Sequence, residues 1–367
     1  MFPVSTSSTK KALRQLLTQC SKMRLVDSSY PVTYIIESHN WSIAADGKNI
    51  QEELSRQFNL QMKLSKHPFA YKPKVMHFGS QFMFQNWFDF TRSKEISTVV
   101  SYFHGKYGDG KEIDTNLDYL RNNISGVDRV IVPNTLMRDR LVELGIPNPK
   151  IAQIPIGVSM AMFHPASLGM KRLIRQELGL PQDATIVGSF QKDGVGWKNG
   201  GPPKLIKGPD ILVDTLRRLS AKRPIFVLLS GPSRDFVIEN LKKLGVPHKH
   251  IFAKNSDEMS RLYQAIDCYL ITSREEGGPK GLLEALSAGC PVVTTPVGMS
   301  QDLRVAHPLF SISSDFSADE LVLLVESVLE VPVTDQSQLS LRSIVLDCDW
   351  KTVARFHYQR VYLPLMS

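Results

Sequence analysis

Apolar residues along this chain gather into short continuous runs instead of alternating with polar ones. Residues 32–38, 74–79, 97–105, 129–134 and 151–157 are such runs, rich in Val, Ile, Phe and Tyr. They predict strands buried on both faces, the habit of a parallel sheet covered by helices. Between two of them, "NTLMRDRLVELGI" predicts a helix that stops at Gly145, the usual left-handed end residue. The pattern then begins again. Strands are predicted at 184–190, 224–231, 251–254, 268–273 and 291–296, with helices over 209–219 and 256–265. From residue 318 onward the chain reads as helical, and the segment 350–362 reads as a terminal helix.

Strands alternating with helices in two successive sets predict an α/β protein of two doubly wound Rossmann-like domains. The boundary is placed in "FHPASLGM", residues 163–170, giving domains 1–168 and 169–349, with 350–367 packing back toward the first. A length of 367 residues suits two domains of ordinary size. In open α/β sheets ligands bind beyond the carboxyl ends of the strands, so chemistry is sought in strand-end loops and in a crevice between the domains.

Composition narrows the class. Hydrophobic residues are 42% and charged residues 22%, ordinary for a globular protein, which excludes disordered and collagen-like chains. No run approaches the ~20 apolar residues that span a bilayer, and the start lacks the features of a cleaved leader, so a cytoplasmic protein is expected. Cys20, Cys268, Cys290 and Cys348 form no C-x-x-C pair and are read as reduced, with Cys268 and Cys290 in the core. The sequons at Asn40 and Asn123 are then chance matches. Residues 1–165 hold 20 of the 44 Lys and Arg but 14 of the 36 Asp and Glu, so +6 of the net +8 lies there. The stretch 10–24, with Leu13, Leu16, Leu17 and Met23 at nearly helical spacing, fits packing against the domain or lying on an acidic membrane; packing is favoured.

The stretch most dense in chemistry is "SREEGGPKGLLEALSAGCPVVTTP", Ser273 to Pro296. A strand ends at Thr272 and Ser273, Gly277, Gly278 and Pro279 turn the chain, and a helix follows over 281–288. Such a turn directs backbone N–H groups and the positive end of the helix dipole outward, which suits phosphate oxygens. Glu276 precedes the turn and Glu284 is placed in the first helical turn. Carboxylates repel anions, so a ligand there should bring hydroxyls to the glutamates and phosphate to the amides: a nucleotide sugar. The bland alternative leaves Glu284 complementing the dipole and Glu276 solvated.

The residues Glu276, Glu284, Ala285, Gly289, Pro291, Val292 and Val293 resemble the donor-site pattern of the retaining GT-B glycosyltransferases of family 4, glycosyl transferases group 1. "KGPDILVDTL" from Lys207, "GVSMAMFHP" and "LLSGPS" strengthen the likeness, which covers the second domain and the last third of the first. The resemblance implies a GT-B fold and roles residue by residue. Lys207 would hold the donor diphosphate and offset charge on the leaving group. Glu276 would bind sugar hydroxyls and Glu284 the ribose. Gly277, Gly278, Pro279, Lys280, Gly281 and Leu282 would line phosphate and sugar. His104, following the strand "TVVSYF", would lie by the donor sugar and acceptor, with a purely structural strand-end histidine as the alternative.

Two departures from the pattern are visible. The glycine-rich loop expected after the first strand is absent, and Asp46, Gly47 and Lys48 are taken to build that acceptor-side loop instead. The arginine expected after Gly188 is Ser189, so Lys192 in "FQKDG" is the substitute cation, with Arg234 beside Gly231 in "GPSRD" the second candidate. The insert 193–206 is read as a flap near the phosphates.

Competing motifs are weak. The glycines of that insert miss dinucleotide spacing, and no phosphate loop ending in Gly-Lys-Ser/Thr and no H-E-x-x-H occurs. Asp347-Cys348-Asp349 resembles a metal-binding D-x-D but precedes the terminal helix, where Asp349 suits an N-cap. The aromatic run 77–90 lacks interleaved cations, which argues against nucleic acid. The expectation is a retaining, metal-independent glycosyltransferase with no cofactor, a nucleoside-diphosphate sugar as co-substrate and a glycan or lipid-linked hydroxyl acceptor. Peripheral membrane contact would run through the basic first domain. The alternatives are a GT-B epimerase or phosphorylase, and a catalytically silent sugar-nucleotide-binding subunit.

Overall fold

The computed structural model describes residues 29–37, 42–196 and 200–367. The helix expected over 10–24, Cys20 and the sequon at Asn40 lie outside them. The chain divides into two compact units, Met1–Pro155 with Trp350–Ser367, and Ile156–Asp349.

The first unit is a six-stranded parallel sheet of β1 (Val32–Ile35), β2 (Met62–Ser65), β3 (Val75–Phe78), β4 (Ser97–Ser101), β5 (Arg129–Val132) and β6 (Ile151–Gln153), ordered β2-β1-β3-β4-β5-β6. β1 and β3 are buried along their whole length, as their runs of Val, Ile and Phe require. Helix Ser42–Phe58 covers one face, packed with helix Trp350–His357 around Ile50, Leu54, Val353 and Ala354. Phe84, Phe88, Leu117, Leu120, Met137 and Leu141 fill the other face. Asn134 caps helix Thr135–Glu143 by accepting from the Met137 N–H at 2.8 Å, and the chain leaves that helix through Gly145 at φ +89°.

The second unit repeats the plan with β7 (Thr185–Ser189), β8 (Ile225–Leu229), β9 (His248–His250), β10 (Cys268–Ile271), β11 (Val292–Thr294) and β12 (Phe310–Ile312), all parallel, ordered β12-β11-β10-β7-β8-β9. Helices Pro209–Lys222 and Ala318–Glu330 cover one face, and Ser256–Ala265 and Lys280–Ser287 pack on the other. Cys268, Cys290 and Cys348 are free and buried, and burial pushes all three thiols above their ordinary range.

Several expectations change at the margins. The run 251–254 is not a strand: β9 lies three residues earlier, β8 ends at Leu229, and Phe252 beyond it is 58% exposed. The edge strands β2 and β12 were not anticipated, because "MKLS" and "FSI" are short and half polar. The units meet at 155/156 instead of 168/169. Residues 156–168 pack with the second sheet: Val158 bridges to Asp349, Phe163 is in the core, and its carbonyl accepts from Ser287 Oγ at 2.7 Å.

Asp46, Gly47 and Lys48 form no loop; they lie within helix Ser42–Phe58. Gly47 serves helix-on-strand packing there, since a Cβ would sit 2.6 Å from Leu64 and 3.1 Å from Tyr34. Glu284 is the fifth residue of helix Lys280–Ser287, one residue further in than expected and just past the first turn.

Candidate functional site

In the second sheet the chain runs outward from β7 to β8 and β9, then returns to β10 on the other side of β7. The carboxyl ends of β7 and β10 therefore flank the point where strand order reverses, the place where open α/β sheets bind ligands. The loop after β7 carries Gln191 and Lys192, and the loop after β10 carries Ser273 and Glu276.

These loops are joined through Lys207. Its ammonium group lies 2.5 Å from Glu276 Oε1, with side chains 24% and 13% exposed. Ser273, fully buried, places Oγ 2.9 Å from the same carboxylate oxygen and 3.1 Å from Gln191 Oε1. Gln191 Nε2 donates to the Lys207 carbonyl at 2.7 Å. The result is a closed ring of polar contacts over three loops.

Lys207 is held from below by Gly208, which has φ +62° and whose added Cβ would stand 1.8 Å from the Thr272 carbonyl oxygen. No L side chain fits there. Thr272 Oγ1 donates to the Gly208 carbonyl at 2.9 Å. Arg274 makes a two-pronged pair with Asp210 at 2.7 and 2.6 Å and donates to the Leu205 carbonyl at 2.7 Å, so the Lys207 loop and the Glu276 loop are clamped on both sides.

Lys204 was missed by sequence reasoning, although it lies within the insert read as a flap. Desolvation lowers it below the usual lysine range, the neighbouring ammonium groups of Lys207 and Lys192 push the same way, and Glu276 opposes them. Three lysines and one carboxylate thus share the site, with a net charge that suits a polyanion. The spacing of Lys204 three residues before Lys207 was the available signal.

Arg234 does not serve as the substitute cation. It is 1% exposed, with Nε 3.2 Å from the buried Asp193 carboxylate, and it donates to the Gln191 carbonyl and, at 3.2 Å, to Ser189 Oγ. Burial pushes Asp193 up to about 6 despite Arg234, and Asp235 adds to the rise. The insert is anchored by main-chain contacts next to that pair: Lys204 N donates to the Asp193 carbonyl at 2.6 Å, and Gly194 bridges Pro203. Gly231 approaches Gln191 and Lys192 closely, and its carbonyl pairs with His250 Nε2 at 2.8 Å.

Gly277, Gly278, Pro279, Lys280, Gly281 and Leu282 form the turn and the start of helix Lys280–Ser287, whose N-terminus no side chain caps. Gly278 lies against Ile156 and Gly281 against the hydroxyls of Tyr269 and Tyr263, approaches that a Cβ would bring to 2.4 and 2.5 Å. Tyr263 donates to Glu284 Oε2 at 3.0 Å, and burial, with Tyr269 and Glu284 as neighbours, keeps its phenol protonated far above its ordinary range.

In the first unit His104 is exposed in the loop after β4. Its carbonyl accepts from Gln81 Nε2 at 2.7 Å, and its ring lies 6.2 Å from Phe82. The reversal of strand order in this sheet falls between β1 and β3, where Ser80 Oγ donates to Glu37 Oε1 at 2.8 Å. Glu37, Ser80 and Gln81 were not singled out from sequence. Lys106, Tyr107, Arg140 and Glu143 line a cavity of about 270 Å³ next to His104. At the other candidate motif, Asp349 Oδ2 accepts from the Met160 N–H at 3.3 Å. Among the described residues no group of three His, Cys, Asp or Glu is placed to hold a metal ion, and no helix is long and apolar enough to cross a membrane.

Comparison with known proteins agrees with this geometry. D-inositol 3-phosphate glycosyltransferase 2 of Catenulispora acidiphila is 27% identical over 193 residues, 48% of this chain and 42% of that protein. Mannosylfructose-phosphate synthase of Agrobacterium fabrum is 22% identical over 77% of this chain and 58% of its own length. The chain spans about half the length of the curated relatives it matches. Among solved structures, Anabaena HepE in complex with UDP and glucose has a TM-score of 0.71 at 16% identity, covering 90% of this chain and 98% of that one. Sucrose-phosphate synthase from Thermosynechococcus elongatus has a TM-score of 0.72 at 16% identity, covering 92% and 99%. These likenesses give the GT-B fold class. Residues 204–340, which include Lys207, Glu276 and Glu284, match the model of the glycosyl transferases group 1.

Proposed function

We propose that the protein is a retaining glycosyltransferase that moves a sugar from a nucleoside-diphosphate sugar to a hydroxyl acceptor. The observation that carries this reading is the Lys207–Glu276 pair at 2.5 Å, set at the strand-order reversal with Lys192 and Lys204 beside it. A lone surface ion pair would mean little. Here both partners are largely buried and fixed by backbone contacts, so the site is preorganised before any ligand arrives.

The diphosphate would sit between Lys207, Lys204 and Lys192 and the uncapped N-terminus of helix Lys280–Ser287. Glu276 would accept hydrogen bonds from sugar hydroxyls and Glu284 from the ribose. As the sugar–phosphate bond breaks, negative charge grows on the leaving oxygen, and Lys207 is placed to stabilise it. Retention follows if the acceptor attacks from the face the phosphate leaves, with a phosphate oxygen taking the acceptor proton and His104 orienting the hydroxyl. That route asks for neither a metal nor a carboxylate nucleophile. The relatives point toward phosphorylated polyol and sugar acceptors by their names, and HepE was solved with UDP and glucose. A cytoplasmic location, with peripheral contact to an acidic membrane, belongs to the same proposal.

The test is mass-spectrometric screening of UDP-, GDP- and ADP-linked sugars for hydrolysis, then for transfer to added polyol phosphates, sugars and lipid-linked sugars. Release of nucleoside diphosphate from one donor, lost in Lys207→Ala and Glu276→Ala, supports the reading. Turnover that survives both substitutions overturns the site. Isomerisation without an acceptor would replace the transferase by an epimerase.

A further inference from the structure

The ring of contacts around Lys207 has one member that touches neither the lysine ammonium nor the carboxylate of the pair, yet is bonded to the supports of both. Gln191 donates Nε2 to the Lys207 carbonyl at 2.7 Å and presents Oε1 to Ser273 Oγ at 3.1 Å. Its main-chain carbonyl is in turn held by the buried Arg234 guanidinium. The amide orientation is fixed by chemistry: the carbonyl of Lys207 can only accept, so the nitrogen must face it and the oxygen must face Ser273.

Ser273 then has one proton and two acceptors within reach, Gln191 Oε1 and Glu276 Oε1. With Lys207 bound to Glu276, the carboxylate is neutralised and the serine proton can rest on Gln191. Once a donor phosphate draws the Lys207 ammonium toward it, Glu276 loses part of its compensation. The serine proton then moves to the carboxylate by rotation about one bond, and Glu276 stays in place for the sugar hydroxyls. We infer that Gln191, acting through Ser273 and the Lys207 backbone, is the positioning residue that holds the lysine and the glutamate in register through the donor's arrival. The inference rests on the proposed donor site.

The test uses Gln191→Met, which keeps length and volume but removes both side-chain hydrogen bonds, together with Ser273→Ala and the double variant. The readout is release of nucleoside diphosphate from the nucleotide sugar that the donor screen selects. Circular dichroism and thermal unfolding report the fold. A loss of register predicts that kcat falls about 10- to 100-fold while the donor KM moves less than about threefold. The double variant should lose no more than Gln191→Met alone, because both act through one chain of contacts.

Three results overturn the inference: unchanged kcat in folded Gln191→Met, a loss confined to KM, or losses in the two single variants that multiply in the double. If Gln191→Met unfolds, Ser273→Ala decides in its place, and an unchanged kcat there has the same force. Failure of the donor site itself looks different. In that case Lys207→Ala and Glu276→Ala leave turnover intact, and the inference falls with the reading it rests on.

Discussion

The two units share one plan, six parallel strands with helices on both faces, but they bury polar side chains in different ways. In the first unit one cluster of buried polar side chains meets beneath the C-terminal segment. His77 of β3 shares hydrogen bonds with Tyr362 at 2.7 Å and Ser101 at 2.8 Å, with the His357 ring 5.9 Å away. In the second unit, Ser189, Asp193, Arg234, Thr272 and Ser273 are buried beyond or at the carboxyl ends of the strands. Unsatisfied buried polar groups are costly, so each cluster needs a reason to persist. The first fastens a terminal segment onto a sheet. The second fixes loops around Lys192, Lys204 and Lys207, which is what a ligand site demands. The contrast implies that perturbing the first should change stability alone, whereas perturbing the second should change chemistry.

The largest effect is expected from acid on the first cluster. Burial depresses both histidines, His357 to about 3 and His77 well below its ordinary range; the two rings face each other, His77 meets the Tyr362 hydroxyl and His357 meets the Tyr362 ring. The unfolded chain takes up protons below about 6.5 while the folded chain does not, so stability is lost as pH falls from there toward 3. His357 alone accounts for roughly 4–5 kcal/mol at the lower end of that window. Urea unfolding at pH 7, 5 and 4 measures it, and His357→Phe should flatten the slope. A wild-type slope that His357→Phe does not reduce would remove the first half of the comparison.

Next comes the buried pair beneath the second cluster. Arg234→Met leaves Asp193 buried without its partner and should cost about 3–5 kcal/mol, whereas Arg234→Met with Asp193→Leu should recover most of that loss. If the pair also fixes Gln191, the double variant regains its unfolding midpoint but not its turnover. Recovery of both would make Arg234 a fold element only.

Lys207→Ala and Glu276→Ala follow, each lowering turnover by about 10²- to 10³-fold with the fold intact. A Tyr362→Phe control in the other cluster should lower the unfolding midpoint and leave turnover unchanged. Equal losses from both clusters would erase the distinction drawn between them.

How far the sequence carried this picture depends on what each residue contacts. Strands buried on both faces announce themselves by composition, and so do helix ends such as Asn134 and Gly145. Three of the four edge strands do not: β2, β9 and β12 are triplets or quartets that are half or wholly polar, and their pairing is decided by a neighbour far along the chain. That Lys207 and Glu276 lie in loops at the carboxyl ends of strands, and Glu284 in the helix that follows, was legible because local strand, turn and helix patterns flank each of them. Arg234 was misjudged because nothing local separates an arginine that points into a site from one buried against Asp193. Asp46, Gly47 and Lys48 were taken for a loop because a glycine between charged residues looks like a turn, until Tyr34 and Leu64 are seen to require its smallness. Gln191 and Ser273 derive their significance from contacts across sequence separations of 16 and 82 residues, which no pattern shows.

The smallest expected effect tests the outer edge of the site. Lys204 lies at the exposed rim of the site with its ammonium group only partly desolvated, whereas the Lys207 side chain is 24% exposed and clamped by the Arg274–Asp210 pair on its flank. Both would attract a diphosphate, but exposed charges are screened by salt and partly buried ones much less, the Debye length falling from ~10 Å at 0.1 M to ~3 Å at 1 M. Lys204→Ala should therefore raise the donor KM by about 3- to 10-fold at low salt, worth about 1 kcal/mol, and by much less at 1 M salt. Its kcat should hold, because a charge that attracts ground state and transition state alike shifts KM only. Steady-state kinetics at the two salt concentrations measure this directly. A salt-independent loss in kcat would mean that Lys204 moves in to contact the leaving phosphate, and the insert between Asp193 and Lys207 would then belong to the chemistry instead of the approach to it.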